Sequence, residues 1–157
     1  MAIPAYLIDS NILLRISKRD DPDHALVDAA LATLAEAGAL LCYTHQNIAE
    51  FWNVATRPVN RNGFDLSISD ADRQIRSFEK RMILLPDNEA IYYEWRRLVV
   101  AHAVSGAKVH DARLVAAMNV HAVTHLLTLN TNDFARYPGI AAVHPQALTK
   151  TPKPKDR

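Results

Sequence analysis

The sequence predicts an α/β sandwich built around a mainly parallel sheet, and three observations favour this fold class. Short apolar runs alternate with longer segments whose apolar residues recur at helical spacing. Proline, glycine, asparagine and aspartate separate the two kinds of segment, as they do at turns. The length of 157 residues is about that of one domain and is enough to bury a core. Strands that alternate with helices in this way are typical of a parallel sheet.

Five segments have the apolar content and the length of buried strands. The first stops at Asp9, the third stops at Pro86, and each is too short to be a typical helix. Because the carboxyl ends of parallel strands share one edge of the sheet, residues that follow a strand are candidates for a binding site. In chain order the predicted strands are residues 6–8, 40–43, 82–85, 124–129 and 140–143.

Five longer segments carry apolar residues three and four positions apart, the spacing of a helix with one buried face. Thr44 and Ser69 are good capping residues for the second and third of these helices. Gly38 ends the first helix and Pro58 stops the second. In chain order the predicted helices are residues 24–37, 44–57, 69–80, 88–104 and 109–121.

The composition is that of an ordinary globular protein, with 49% apolar and 22% charged residues. A net charge of +1 predicts no nucleic-acid affinity by itself, but cations such as Lys108 can form a basic rim if the acids gather elsewhere. Cys42 is the single cysteine, which excludes an internal disulfide and a cysteine-rich zinc site. Asp9 interrupts the first apolar stretch, so no signal peptide is expected, and no run is long enough to span a bilayer. We therefore expect a cytoplasmic protein with no membrane association.

Four acidic residues stand where charge is expensive, and they are the candidates for a functional site. Asp9 ends the first predicted strand, and Asp133 follows the fourth after a short polar turn. Asp111 shares the inward stripe of its helix, whereas Glu50 lies roughly opposite the apolar stripe of its own helix. Acids in buried places usually meet a cation. If the fold gathers the four, they form an oxygen-lined site for a hard divalent metal.

Each of these acids also has a structural interpretation, which the spacing leaves open. Asp9 can cap a following helix, and Asp111 can interact favourably with the dipole at the start of its own helix. Glu50 can be a solvated surface residue. Asp133 can be a turn residue that bonds its own backbone.

A second enzyme class shares one motif with this chain. The pair His110–Asp111 occurs in HD-type metal phosphohydrolases, and His102 is a candidate partner ligand. That fold is all-helical, and the predicted strands argue against it. The sequence has no glycine-rich loop ending in Gly-Lys-Ser or Gly-Lys-Thr, which argues against a phosphate-binding NTPase.

Four motifs surround the acids in a characteristic order, at residues 7–11, 44–58, 106–117 and 126–134. Together they resemble the PIN-domain nucleases, particularly the VapC-type toxins of bacterial toxin–antitoxin pairs. The resemblance implies a three-layer α/β/α sandwich with a mainly parallel central sheet. It implies that residues 1–148 form one PIN-like nuclease domain. Residues 149–157 are basic and contain prolines, and we predict that they form a disordered tail.

The resemblance further implies an endoribonuclease that depends on Mg²⁺, with Mn²⁺ as an alternative. Its catalytic residues would be Asp9, Glu50, Asp111 and Asp133. Asp9 and Asp111 would bind the metal, and Glu50 and Asp133 are further candidate ligands. The substrate would be RNA, cleaved by an activated water.

Supporting residues and partners are also implied by the resemblance. Ser10 or Thr44, together with Asn11, would support the acids by hydrogen bonds. Asn130 stands where some PIN proteins carry an acid, so the fourth ligand and the number of metal ions stay open. The family further implies a homodimer and a cognate antitoxin. An alternative from another class is a catalytically inactive PIN-like module that binds a protein partner.

Overall fold

The computed structural model describes residues 3–149. The predicted tail, apart from Thr149, lies outside the described residues. The five strands are β1 (Tyr6–Ile8), β2 (Leu41–Thr44), β3 (Ile83–Leu85), β4 (His125–Leu127) and β5 (Ala141–Val143). They form one sheet in the order β3-β2-β1-β4-β5, and every neighbouring pair is parallel. The predicted α/β fold class is thereby confirmed, and each strand lies within two residues of its predicted bounds.

Six α-helices accompany the strands. They are α1 (Ser10–Ile16), α2 (His24–Glu36), α3 (His45–Thr56), α4 (Ile68–Arg81), α5 (Glu89–Ala101) and α6 (Val109–Val120). None of the helices within residues 3–149 has the length and apolar character needed to cross a membrane.

The helices form two layers because each strand contributes side chains to both faces of the sheet. Leu7 and Leu126 pack in a core with residues of α5 and α6. Their neighbours Ile8 and Leu127 pack in a second core with residues of α1, α2, α3 and α4. All four side chains have 0% of their surface exposed, so the sheet is covered on both sides. The molecule is therefore a three-layer α/β/α sandwich.

The structure corrects the predicted helices at three places. No helix is predicted from the sequence at α1, because its seven residues are too few to show a repeated helical spacing. Ser67, not Ser69, caps α4, since its extended backbone lets the hydroxyl accept a hydrogen bond from the third residue of the helix. The helix α5 ends at Ala101 rather than at Val104, because Ala103 turns into the left-handed region with a φ of 50°.

The order of the strands creates one crevice at the carboxyl edge of the sheet. The chain builds β1, β2 and β3 towards one side and then returns to place β4 against the other side of β1. In open α/β sheets, ligands bind where the strand order reverses in this way. Asp9 follows β1 directly and Thr128 follows β4 directly, so both lie at this crevice.

Candidate active site

Asp9 begins α1 at the end of β1, and only 6% of its surface is exposed. Its Oδ1 accepts a hydrogen bond from the backbone N–H of Ser10 at 2.8 Å. Its Oδ2 accepts a hydrogen bond from the hydroxyl of Thr128 at 2.8 Å. Asp9 thus caps a helix, as one interpretation of the sequence expects. A cap does not, however, require burial between two strand ends, where a charge is costly.

A second set of hydrogen bonds holds the ends of β1 and β4 together beneath this carboxylate. The side-chain amide of Asn11 donates to the Thr128 hydroxyl at 3.2 Å, and its carbonyl oxygen accepts from the backbone N–H of Leu129 at 3.3 Å. The backbone N–H of Asn130 also donates to Thr128, at 3.1 Å. Because Thr128 is fully buried, these contacts fix the direction in which its hydroxyl donates to Asp9.

Glu50 lies in the crevice rather than in open solvent, which decides between the two interpretations left open by its spacing. The Ser10 hydroxyl donates to Glu50 Oε2 at 2.8 Å. The side-chain amide of Gln46, one turn earlier on α3, donates to Glu50 Oε1 at 2.8 Å. The same Gln46 amide also donates to the backbone carbonyl of His110 at 2.8 Å, which ties α3 to α6. Both oxygens of Glu50 are therefore held in place.

Asp111 and Asp133 lie on the more open side of the crevice and share a lysine. The ammonium of Lys108 lies 2.6 Å from Asp133 Oδ1 and 3.9 Å from Asp111 Oδ2. The three side chains are 48%, 38% and 29% exposed for Lys108, Asp133 and Asp111 respectively. The hydrogen bond to Asp133 raises the pKa of Lys108, so the lysine stays charged there.

The electrostatics of Asp9 differ from those of the lysine-paired acids. Burial raises the pKa of Asp9 to about 6, against hydrogen bonds from Thr128 and Ser10 that lower it. The charges of Glu50 and Asp111 raise it further. Burial also raises the pKa of Asp111, and repulsion from Asp133 adds to this effect while Lys108 opposes it. The four acids thus lie near enough to influence one another.

A family model of the PIN domain matches residues 6–140, which is most of the chain. The chain belongs to the PIN domain family. Among curated proteins, none matches it in sequence.

Several solved structures are similar to this chain in fold. The Salmonella typhimurium VapBC complex bound to DNA has 14% identity and a TM-score of 0.66, and the match covers 91% of this chain and 99% of that one. A toxin–antitoxin complex from Klebsiella pneumoniae has 22% identity and a TM-score of 0.60, with 90% and 98% covered. Mycobacterium tuberculosis VapC20, a toxin that cleaves the sarcin-ricin loop, has 12% identity and a TM-score of 0.58, with 78% and 87% covered. At these identities the likeness is one of fold.

The acids of this PIN domain suit a hard divalent cation in their chemistry and charge. Carboxylate oxygens are the ligands that Mg²⁺ and Mn²⁺ prefer. Within residues 3–149, no three side chains of His, Cys, Asp or Glu are grouped closely enough to hold a metal ion on their own. The acids instead form two pairs, Asp9 with Glu50 through Ser10, and Asp111 with Asp133 through Lys108. The buried first pair includes a carboxylate whose charge is opposed by neighbouring acids, and such an arrangement fits a cation.

Two predicted supporting residues lie differently from the expectation. The Thr44 hydroxyl takes part in a capping box with Asn47 at the start of α3, so it supports the acids by positioning the helix of Glu50. Asn130 is exposed, and its backbone N–H bonds Thr128. The HD-type alternative is wrong for this PIN domain, because the sheet is parallel and the ring of His102 packs against Tyr137 at 5.0 Å.

Sequence reasoning missed two residues that hold the site. Thr128 is a polar residue directly after the apolar pair Leu126–Leu127 of β4, at the same edge as Asp9, and that position was its signal. Gln46 stands four residues before Glu50 and therefore on the same side of α3, which was a second signal. Lys108 was expected only as part of a basic rim, because its contact with Asp133 joins residues 25 apart in sequence.

Proposed function

We propose that this protein is a Mg²⁺- or Mn²⁺-dependent endoribonuclease that acts in the cytoplasm as the toxin of a toxin–antitoxin pair. The observation that carries the proposal is the buried carboxylate of Asp9, which faces the like charges of Glu50 and Asp111 at the binding edge of the sheet. Repulsion between these carboxylates lowers the stability of the fold. Acids with pKa values perturbed in this way cluster at functional sites.

The comparisons support the biological part of this proposal. The Salmonella typhimurium and Klebsiella pneumoniae structures are toxin–antitoxin complexes, and the match spans nearly the whole of each. VapC20 is a toxin that cleaves an RNA loop, and it has the same fold. We infer that this chain likewise pairs with an antitoxin and cleaves RNA.

A bound Mg²⁺ or Mn²⁺ would supply a Lewis acid for the phosphate and would lower the pKa of a water that attacks phosphorus. Asp9 and Asp111 are the residues that we propose to hold the ion, with Glu50 and Asp133 as further ligands. No serine or cysteine nucleophile is needed for such a hydrolysis.

The other side chains have roles that follow from their contacts. Glu50, fixed at both oxygens by Ser10 and Gln46, is oriented to accept a hydrogen bond from the attacking water. Lys108 is half-exposed, so its ammonium can pair with a phosphate oxygen when substrate enters. Thr128 and Asn11 keep Asp9 in a single orientation.

An RNA cleavage assay with an Asp111→Asn variant tests the enzymatic proposal. We expect cleavage of single-stranded RNA in Mg²⁺ or Mn²⁺, none in EDTA, and almost none by Asp111→Asn, because an amide binds a hard cation less well than a carboxylate. The matched control is Asp28→Asn, which removes an exposed acid on α2. Equal activity in EDTA and Mg²⁺, or in the wild type and Asp111→Asn, would reject a metal-dependent nuclease. A folded protein that binds a partner but cleaves nothing would be the inactive module instead.

The assembly proposal is tested separately. We expect a homodimer, so light scattering that finds only the 17.5 kDa monomer at micromolar concentration would count against it. We also expect the product of a neighbouring gene to suppress the toxicity of this protein when the two are expressed together. If no neighbouring product does so, the antitoxin part of the proposal fails while the nuclease part stands.

A further inference from the structure

A pocket of about 390 Å³ lies beside the acids, between the start of α5 and the start of α6. The pocket has an apolar wall and a polar rim. The wall is made by Ile91, Tyr92, Trp95 and Val109, and the rim by Asp87, Asn88, His110 and Arg113. The volume is in the range of sites for small organic groups, and the mixture of aromatic wall and sparse polar rim is typical of them. Nothing in the acid chemistry described above uses this pocket.

The pocket continues into the crevice that holds Glu50. A neighbouring depression is lined by Gln46, Glu50, His110 and Arg113, so His110 and Arg113 belong to both. A polymer with a phosphate group next to Glu50 can therefore extend over His110 and Arg113 into the aromatic pocket.

We propose that this pocket binds the base of an RNA nucleotide that flanks the cleaved phosphate, an inference that rests on the proposed function. Tyr92 is 54% exposed, and its ring centroid is 6.4 Å from that of Trp95 with the planes 33° apart. A base that enters the pocket can stack on these rings, as bases of single-stranded nucleic acid do on aromatic side chains.

The indole of Trp95 is tied to the helix that carries Asp111. Its Nε1–H donates to the backbone carbonyl of Val109 at 2.9 Å, and Val109 is the first residue of α6. The distance between the stacking surface and the acids is therefore fixed by one helix start. This is the arrangement needed to hold a base at a constant offset from the reacting phosphate.

Arg113 favours a nucleotide over an apolar protein side chain as the occupant. Its side chain is 47% exposed and forms one ion pair, 3.2 Å from Asp87. A phosphate next to the bound base can accept from the same guanidinium. The His45 ring lies 3.9 Å from Asp87 on the same side.

The test measures RNA binding in EDTA, where the proposed cleavage cannot occur. The chain has two tryptophans, so a Trp52→Phe variant leaves Trp95 as the single reporter of the pocket. We expect short single-stranded RNAs to quench its fluorescence, and Tyr92→Ala in the same background to weaken binding by about fivefold or more, the lower end for loss of one stacking ring. Tyr92→Phe should retain most of the affinity.

Val100→Ala is the matched control, because Val100 is 76% exposed on the same helix but lines a different depression, with Arg96 and Arg97. It should change binding by no more than about twofold, as surface substitutions usually do. Absence of RNA binding, or equal effects of Tyr92→Ala and Val100→Ala, would overturn the base pocket. Fluorescence that responds only to an antitoxin peptide would assign the pocket to a protein partner and overturn it too.

These outcomes are separable from failure of the proposed function. Metal-dependent cleavage that is insensitive to Tyr92→Ala would keep the nuclease and remove the base pocket. RNA binding that depends on Tyr92, in a protein that cleaves nothing with any metal, would keep the pocket and remove the nuclease.

Discussion

The two pairs of acids hold their charge in opposite ways. Asp9 is buried, and within residues 3–149 its donors are neutral ones from Ser10, Asn11 and Thr128, while neighbouring acids oppose its ionisation. Asp133 is more than a third exposed and has its own cation, Lys108, at 2.6 Å. The negative charge on the Asp133 side is therefore neutralised by a side chain of the protein, whereas the negative charge on the Asp9 side is not. We therefore expect a metal ion on the Asp9 side. We expect substitutions on the Asp133 side to have smaller effects.

The largest expected effect is a difference in activity between the two sides. We expect Asp9→Asn to lower kcat/KM for RNA by about 10²–10³-fold, because it removes a proposed ligand of a metal ion that would supply several kcal/mol of stabilisation. Asp133→Asn should lower kcat/KM by about tenfold, which is the lower end for a residue that supports the ligands of a metal site. Steady-state cleavage rates decide this, with circular dichroism to show that both variants fold. Equal losses of kcat/KM in the two variants would show that the two sides of the site do not differ in this way.

The next effect concerns stability in the absence of metal. Because the pKa of Asp9 is about 6 in the folded protein against an ordinary 3.8, the folded state holds a proton that the unfolded chain has lost. The bound proton stabilises the folded state. This contribution to the free energy of unfolding is fully present below pH 3.8 and is lost as the pH rises through about 6. The difference corresponds to about 3 kcal/mol as an upper figure.

Urea unfolding of the wild type and Asp9→Asn in EDTA, across pH 4 to 7, measures this loss. The amide cannot ionise, and its oxygen can still accept from Ser10, so the variant should lose less stability than the wild type over the same range. Identical pH profiles would show that Asp9 does not hold uncompensated charge. Saturating Mn²⁺ should reverse the wild-type loss near pH 7 by binding the folded state alone.

A smaller effect is expected from the hydroxyl that joins Asp9 to Glu50. Ser10→Ala should weaken Mn²⁺ binding by about 10- to 100-fold, as loss of an orienting hydrogen bond at a metal site does. Calorimetric titration measures it. The control is Ser17→Ala at the other end of α1, whose hydroxyl donates to the carbonyl of Leu14 and does not face the acids. Unchanged Mn²⁺ affinity in Ser10→Ala would mean that the buried pair does not act as a unit.

The smallest effect is expected at the lysine. Lys108→Met should tighten Mn²⁺ binding by about two- to fivefold, since an exposed ion pair is worth up to about 1 kcal/mol and its loss frees Asp133. Lys80→Met, on an exposed part of α4, is the control for the change in net charge. Weaker Mn²⁺ binding in Lys108→Met would show that the lysine orders Asp133 for the metal rather than competing with it.

The sequence predicts the sheet well because each strand is an apolar run between turn residues, and it predicts Asp9 because an acid at a strand end is unusual. Glu50 shows the limit of periodicity. Its position opposite the apolar stripe of α3 places it away from the core. The packing of α1 against α3, which brings Ser10 to Glu50, makes that side of the helix part of a crevice. Thr128 and Lys108 are similar cases, because their partners lie 119 and 25 residues away. Such contacts are set by tertiary packing, which local spacing does not encode.

The central position of β1 in the sheet has a consequence for folding during translation. β1 is translated before its second neighbour, β4, which spans residues 125–127. Until then β1 has an unpaired edge, and pairing between such distant segments is slow. Asp111 and Asp133 are also translated late. A chain translated only as far as residue 108 therefore lacks β4 and two of the four acids, so the four acids cannot come together before β4 has been made.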